Sequence, residues 1–337
     1  MKAFILDAGS PERCHPLTCT RGLAACPVAG RPLIEQQKAR LAVARLEACG
    51  TQSNTGSGTR AGALSSAKPA ASPDDETRLY MPGDSWLSAE SLVALRQMDA
   101  PAVLLGAGGA VLAWTGPSAE PPPASAEPPA DTERLHRLST DANSFHILYP
   151  WDLLRVHEIL MGELRESKIL GELSDRAVVE GCLVLGEGSR ILPGVYIEGN
   201  AIIGRNCKIG PNCHIRGATA IGDNCHVGQA VEIKNSILMD RVGMGHLSYC
   251  GDSIVGEGAN FGAGTITANF RHDGKPHRSM VGGELVDTGR LKFGAIIGDD
   301  VHTGIHTSIY PGRKIWPRQS TRPGEVVRQD LKPGNNA

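Results

Sequence analysis

Aliphatic residues return at every sixth position through the second half of the chain. They stand at Val179, Leu185, Ile191, Ile197, Ile203, Ile209, Ile215, Ile221, Val227 and Ile233. Four positions after most anchors comes a second, usually smaller residue, among them Ser189, Ala201, Cys207, Cys213, Thr219 and Cys225. An α-helix does not fit, because its apolar stripe recurs at three and four residues and tolerates few glycines. A fixed six-residue period predicts a parallel β-helix built from hexapeptides. The pattern resumes at Val255, Phe261, Ile297, Thr303, Ile309 and Ile315, so two interruptions are expected, Asp240–Ile254 and Ile266–Ile296. Insertions in a solenoid become loops that often form its binding face.

Ahead of the repeat the periodicities are mixed. Met1–Leu6 reads as a buried strand, followed by a polar loop and a helix carrying Leu33, Leu41, Ala44 and Leu46. Thr51–Asp75 is rich in Gly, Ser, Ala and Thr and reads as a loop. Leu87–Arg96 predicts a helix, and Ala102–Leu105 with Val111–Trp114 predict strands. Together these form a small α/β domain over 1–116. Pro117–Asp131 is proline-rich and opens a linker assigned to 117–148. Pro150–Glu166 predicts a helix within a connecting segment, 149–169, with Pro at its start and a stripe of Leu153, Leu154, His157, Leu160, Met161 and Leu164. His157 lies on that stripe and is expected to pack rather than react. The β-helix occupies 170–337.

Composition narrows the function classes. A net charge of −2 gives no electrostatic reason to expect nucleic acid or an anionic membrane as partner. No apolar run reaches the ~18 residues of a membrane span, which leaves a cytoplasmic protein as the expectation. Aromatics are only 4%, in keeping with a narrow core of Ile, Val, Leu and small residues. Nine cysteines occur without any C-x-x-C. Cys207, Cys213 and Cys225 fall in the small-residue column, so they read as compact apolar fillers, and no metal site is expected.

Near the N-terminus, Ala8, Gly9, Arg13, Pro16, Leu17, Thr18 and then Pro27-Val28-Ala29-Gly30-Arg31-Pro32-Leu33-Ile34 resemble the signature of sugar-phosphate nucleotidyltransferases. The departures fall where phosphate chemistry needs its groups. Pro11 replaces a loop glycine and has no N–H to offer. Glu12 brings negative charge where a triphosphate would sit, and Leu23 replaces the signature lysine. Met81-Pro82-Gly83-Asp84 could echo that family's metal-binding aspartate, but a Gly-Asp turn is the commoner explanation. The resemblance implies a degenerate nucleotidyltransferase-like α/β remnant, with Mg²⁺ and UTP relevant only if that domain is active.

The second resemblance is longer. Gly245-His246-Leu247-Ser248-Tyr249-Cys250-Gly251-Asp252 and Asn260-Phe261-Gly262-Ala263-Gly264-Thr265-Ile266-Thr267-Ala268-Asn269-Phe270 resemble two motifs of the bifunctional N-acetylglucosamine-1-phosphate uridyltransferase/glucosamine-1-phosphate N-acetyltransferase family. Tyr149–Leu154 also occurs between the domains of its archaeal-type members. The resemblance implies a left-handed β-helix, a homotrimer with sites between subunits, and acetyl-CoA as co-substrate. It implies that His246 is the base, a role for which an imidazole is the commonest side chain. Arg216 and Lys234 precede His246 by 30 and 12 residues, the family's offsets for its phosphate-binding pair. Tyr249 and Asn260 correspond to substrate contacts and Lys275 to a further phosphate-contacting lysine, for which His272, Arg278 or Lys292 could substitute. Asn269 and Ala295 correspond to positions beside the acetyl group or CoA. Ile305 stands where the family often has serine, and the chain ends soon after Val327, so the CoA pocket is expected to be shifted.

The implied reaction is acetylation of glucosamine-1-phosphate, or its galactosamine counterpart, on the way to UDP-N-acetylglucosamine. Three alternatives stay open: a bifunctional enzyme also using UTP, a non-catalytic trimeric scaffold, and a zinc carbonic-anhydrase-like β-helix drawing on His226, His246, His302 and His306.

Overall fold

The structure is a computed structural model that describes residues 1–9, 11–52, 77–98, 101–116 and 135–334. The expected loop Thr51–Asp75 begins two residues inside a strand, Glu47–Gln52; its remainder and the linker Pro117–Asp131 lie outside the described residues. Contacts divide the chain into one unit of Met1–Gly9 with Ile34–Ile147, and a second of Ser10–Leu33 with Leu148–Ala337. These units cut across the linear boundaries drawn from composition. Residues 135–147, placed in the linker by composition, carry the strands His136–Ser139 and Phe145–His146 of the first unit.

The first unit is a six-stranded mixed sheet ordered 47–52, 2–6, 78–82, 111–116, 102–105, 136–139. Lys2–Leu6 pairs in parallel with both its neighbours, whereas Val111–Gly116 is antiparallel to both of its own. Leu41, Leu79, Leu92, Leu95, Leu104 and Leu112 fill its core. The helix Ala89–Arg96 is capped by Ser88, whose Oγ accepts from Ser91 N at 3.0 Å. Gly83-Asp84 is the turn between strands 78–82 and 85–86, and Asp84 faces His146 at 3.5 Å.

The second unit contains the β-helix. Three parallel sheets of eight, six and eight strands enclose one core, the β-helix expected from the hexapeptides, with the left hand the family resemblance implied. One coil spans 18 residues early on: Leu185 pairs with Ile203 and Ile203 with Ile221 in the first sheet. Every aliphatic anchor from Leu185 to Ile233 is at most 2% exposed. Cys207, Cys213 and Cys225 are buried between the anchors as fillers, and burial pushes the Cys213 thiol up to about 12.

One expectation is corrected. Asp240–Ile254 is no interruption: Gly243–His246 and Tyr249–Gly251 are ordinary strands of the second and third sheets. The register shortens instead, because Ile221 pairs with Leu238 and Leu238 with Val255, a 17-residue coil. A one-residue deletion in a corner disturbs the six-residue count without disturbing the sheet, which is why the anchors seemed to vanish. The second interruption is real. Val255 pairs with Ile297, and between Thr267 and Ala295 an excursion carries the hairpin Arg278–Val281 with Glu284–Asp287.

The corners explain the remaining spacing. Each holds a column of residues with positive φ, such as Gly194, Asn212, Ala230, Leu247, Gly264 and His306 between the second and third sheets. Left-handed backbone favours Gly and Asn, so the chain spends these residues where the sheets turn. Leu247, at φ 50°, is a costly exception beside His246.

Residues 11–33, the nucleotidyltransferase-like signature, belong to this second unit. Pro27–Val28 and Arg31–Pro32 form a two-residue hairpin whose Ala29 and Gly30 both have positive φ, the requirement of a type I′ turn. A Cβ on Gly30 would sit 2.8 Å from Ile202 Cγ2, so the hairpin rests directly on the first sheet of the solenoid. Arg21 Nη2 reaches Asp299 at 2.6 Å and Glu257 at 3.1 Å. Ala29 N donates to His157 Nδ1 at 3.1 Å, and the other ring nitrogen lies 3.2 Å from Ala218 O, so Nε2 carries the proton. His157 is thus a buried stitch through the hairpin, the helix Pro150–Glu163 and a solenoid corner.

Candidate active site

The third sheet carries three of the polar residues singled out by sequence, Arg216, Lys234 and Tyr249. Arg216 and Lys234 are register partners on successive coils, and Lys234 pairs next with Gly251. Their spacing of 18 residues in sequence is one full coil, which puts both cations at the same corner, roughly 5 Å apart along the solenoid axis. Glu232 and Tyr249 are likewise register partners two residues earlier. Asn269 arrives from the excursion that leaves the solenoid after Thr267.

Each cation already has a carboxylate. Arg216 spends Nε on Glu232 at 2.7 Å, and that hydrogen bond raises its pKa further. Lys234 Nζ lies 3.1 Å from Asp252 Oδ2. Asp252 is 2% exposed and sits at a corner with φ 50°. It also accepts from Asn269 Nδ2 at 2.6 Å and Asn235 Nδ2 at 3.0 Å. Asn269 Nδ2 reaches Tyr249 Oη at 2.9 Å as well, so both of its amide hydrogens are committed within the chain. Burial, then the charges of Asp252 and Glu232, raise the Tyr249 pKa and keep the phenol protonated. A Cβ on Gly251 would fall 2.3 Å from Tyr249 Oη and 2.7 Å from Asn269 Nδ2, so any larger residue would displace one or both.

The other residues are placed elsewhere. His246 ends its strand in the second sheet, exposed, just before the strained Leu247 corner. It is therefore part of a regular coil rather than of an inserted loop, a correction that follows from the 17-residue register. Five residues separate its rung position from that of Lys234, across a corner. Asn260 is exposed on the second sheet, in register with Gly243 and bridged to His302. Lys275 is exposed in the excursion, where its backbone N lies 3.3 Å from Asp273. Lys292 sits 3.7 Å over the Phe270 ring. Ala295 is fully buried in the solenoid core and its N donates to Ser253 Oγ at 2.9 Å, so its side chain meets core and not solvent. Ile305 is half exposed.

Four functional-looking side chains were not anticipated. Asp252 is the final letter of one motif, and Glu232 and Asn235 flank Lys234. Glu158 of the helix carries no sequence signal at all. Among the described residues no three His, Cys, Asp or Glu side chains within the chain converge as metal ligands. His226 and His302 lie on one face with the rungs of Gly243 and Asn260 between them. No helix among the described residues is long and apolar enough to cross a membrane.

Three residues of the signature segment are unlike a phosphate loop: Pro11 offers no N–H, Glu12 begins a short 3-10 turn with a carboxylate, and Leu23 is fully buried.

Residues 197–320 match the GMPPB C-terminal domain family. Over 404 aligned positions the chain is 31% identical to the "Bifunctional sugar-1-phosphate nucleotidylyltransferase/acetyltransferase" of Sulfurisphaera tokodaii, covering 98% of each protein. It is 45% identical to the "Bifunctional protein GlmU" of Methanococcus aeolicus over 183 residues, 54% of this chain and 44% of that one. It thus spans less than half of that methanococcal relative. A solved UDP-N-acetylglucosamine acyltransferase aligns with 49% of this chain and 66% of its own at 13% identity, with a TM-score of 0.21, too low to carry any argument.

Proposed function

The chain belongs to the bifunctional sugar-1-phosphate nucleotidylyltransferase/acetyltransferase family, and from that premise we propose that its β-helix N-acetylates glucosamine-1-phosphate or its galactosamine counterpart with acetyl-CoA. The observation that carries the reading is the registered pair Arg216–Lys234 beside Tyr249, Asn269 and Asp252, a cationic corner whose neighbours are already ordered. A sugar phosphate would take donors from Arg216 and Lys234, with Lys275 as an exposed third cation. His246 would remove the proton from the amine as its nitrogen attacks the thioester carbon. The C–S bond then breaks, and the proton leaves with CoA as its thiol. Asn269 has no amide hydrogen left for an oxyanion, so in this arrangement its Oδ1 is the group available to hold an N–H.

Because His246 stands a corner away from Lys234, the reading takes the homotrimer the family resemblance implies, with His246 of one subunit facing the cations of another. Asn260, on the His246 side, would then contact the sugar. Ala295 would shape the CoA channel only through its backbone. No step is assigned to Mg²⁺ or UTP, since Pro11, Glu12 and Leu23 stand where the resembled signature has a glycine, a threonine and a lysine.

Release of CoA thiol from acetyl-CoA, followed with and without glucosamine-1-phosphate, tests this. Amine-dependent release that collapses in His246→Ala supports it; a folded protein without any amine-dependent release overturns it.

A further inference from the structure

The helix Pro150–Glu163 presents one carboxylate to the polar cluster. Glu158 Oε1 accepts from Asn235 Nδ2 at 2.7 Å, and both Glu158 oxygens take Arg290, which descends from the end of the excursion. Asn235 donates onward to Asp252 Oδ1. The opposite oxygen of Asp252 holds Lys234 and Asn269. A single chain therefore runs Arg290, Glu158, Asn235, Asp252, and then divides to the phosphate-side cation and to the amide beside Tyr249.

We propose that Glu158 is a positioning residue for the candidate acetyltransferase site, setting Lys234 and Asn269 through Asn235 and Asp252; this rests on the reading just given. Three separate elements supply the chain: the connecting helix, the corner at Asn235 and the excursion that ends in Arg290. None of the three is a repeat strand, so nothing in the coil geometry fixes their mutual placement. Asn235 turns its corner at φ 49°, a conformation asparagine adopts readily, and its amide bridges two carboxylates. Burial works against ionised Glu158, but the Arg290 hydrogen bond and charge, with Asn235, pull its pKa below the usual carboxylate range. It stays an anion wherever the site could work.

Loss of Glu158 frees Arg290 and leaves Asn235 with one acceptor. Asp252 then keeps its charge and its bond from Asn235, but that amide is no longer held on its far side, so the aim of Oδ1 loosens and Lys234 and Asn269 follow Oδ2. The expected signature is selective. Glu158→Ala should raise KM for glucosamine-1-phosphate about tenfold while KM for acetyl-CoA stays near wild type. Glu158→Gln, which keeps an acceptor for Asn235 but no charge for Arg290, should fall between. Glu166→Gln, an exposed carboxylate beyond the helix end, should match wild type.

A second readout needs no turnover: the ¹³Cζ resonance of Tyr249, assigned with Tyr249→Phe, in the full-length protein. It should shift in Glu158→Ala, because Asn269 and Asp252 both face that phenol. An unmoved Tyr249 resonance, or equal changes in both KM values, would overturn the positioning role. Absence of amine-dependent CoA release from wild type, with the resonance shifted, would sink the acetyltransferase reading and leave the relay standing.

Discussion

Two segments of the second unit were both recognisable by motif, and they came out differently. The coils from Leu185 to Thr267 place their polar residues by counting: 18 or 17 residues bring Arg216 over Lys234, and Glu232 over Tyr249. The signature segment 11–33 keeps Pro27–Leu33 almost intact, yet its hairpin packs on Ile202 and His157 and its Arg21 pairs with Asp299. In a repeat, position dictates which way a side chain points, so a motif retains its geometry as long as the repeat does. An irregular loop has no such guarantee. Its letters survive while their contacts are reassigned, here to holding a helix against a solenoid.

The sharpest way to break this contrast is to remove one residue from each side. His246→Ala should cut amine-dependent CoA release by about 10²–10⁴-fold, the usual weight of a general base. Its exposed side chain makes no core contact, so thermal unfolding should be unchanged. Release within threefold of wild type would show that the coil motif, too, has lost its role.

Arg21→Met is the mirror experiment. Arg21 and Asp299 are 14% and 11% exposed, and removing the cation leaves Asp299 its bonds from Thr20 Oγ1 and Glu257 N but not its guanidinium, at a cost of about 2–3 kcal/mol. Urea unfolding measures it. Acetyl transfer by the surviving folded protein should be unaltered, and addition of UTP with Mg²⁺ should release no pyrophosphate from either protein. Pyrophosphate from wild type but not from Arg21→Met would mean the segment still serves a nucleotide.

His157 gives the clasp a pH dependence. Burial holds its folded pKa down to about 4, whereas the unfolded chain titrates near ~6.5. Between those values the unfolded state binds more protons, so this contribution is whole above pH ~6.5 and drains away as pH falls. The loss should be about 2 kcal/mol between pH 7 and pH 5. His157→Gln should flatten that slope while lowering stability at pH 7, and an unchanged slope in the variant would place the acid sensitivity elsewhere.

How much of this was legible follows the same division. The anchors, the buried cysteine fillers and the packed histidine were readable because six-residue and helical periods report burial directly. The shortened coils were not, since losing one corner residue shifts the count and mimics an interruption; Leu238, Met244 and Cys250 were anchors hidden by that shift. The Glu158 chain was out of reach for another reason. It joins residues 77 and 132 positions apart through side chains that obey no period. Ala295 shows the converse limit: alignment marks a position, but only packing shows that its side chain faces the core.

The smallest expected effect probes the rule that makes the coils legible. Asn206 turns a corner at φ 55°, one coil beyond Gly188 and one before Asn224, both also left-handed. If the column is selected for backbone rather than contacts, Asn206→Ala should cost about 1 kcal/mol, the penalty of placing an ordinary residue in that conformation. Asn206→Gly should be nearly neutral, because the conformational relief offsets the greater freedom of the unfolded chain. Equal losses in both variants would mean that the asparagine side chain itself stabilises the corner. The αL column would then be a consequence of side-chain bonding, and the spacing of Gly and Asn would lose its standing as the code for where a coil turns.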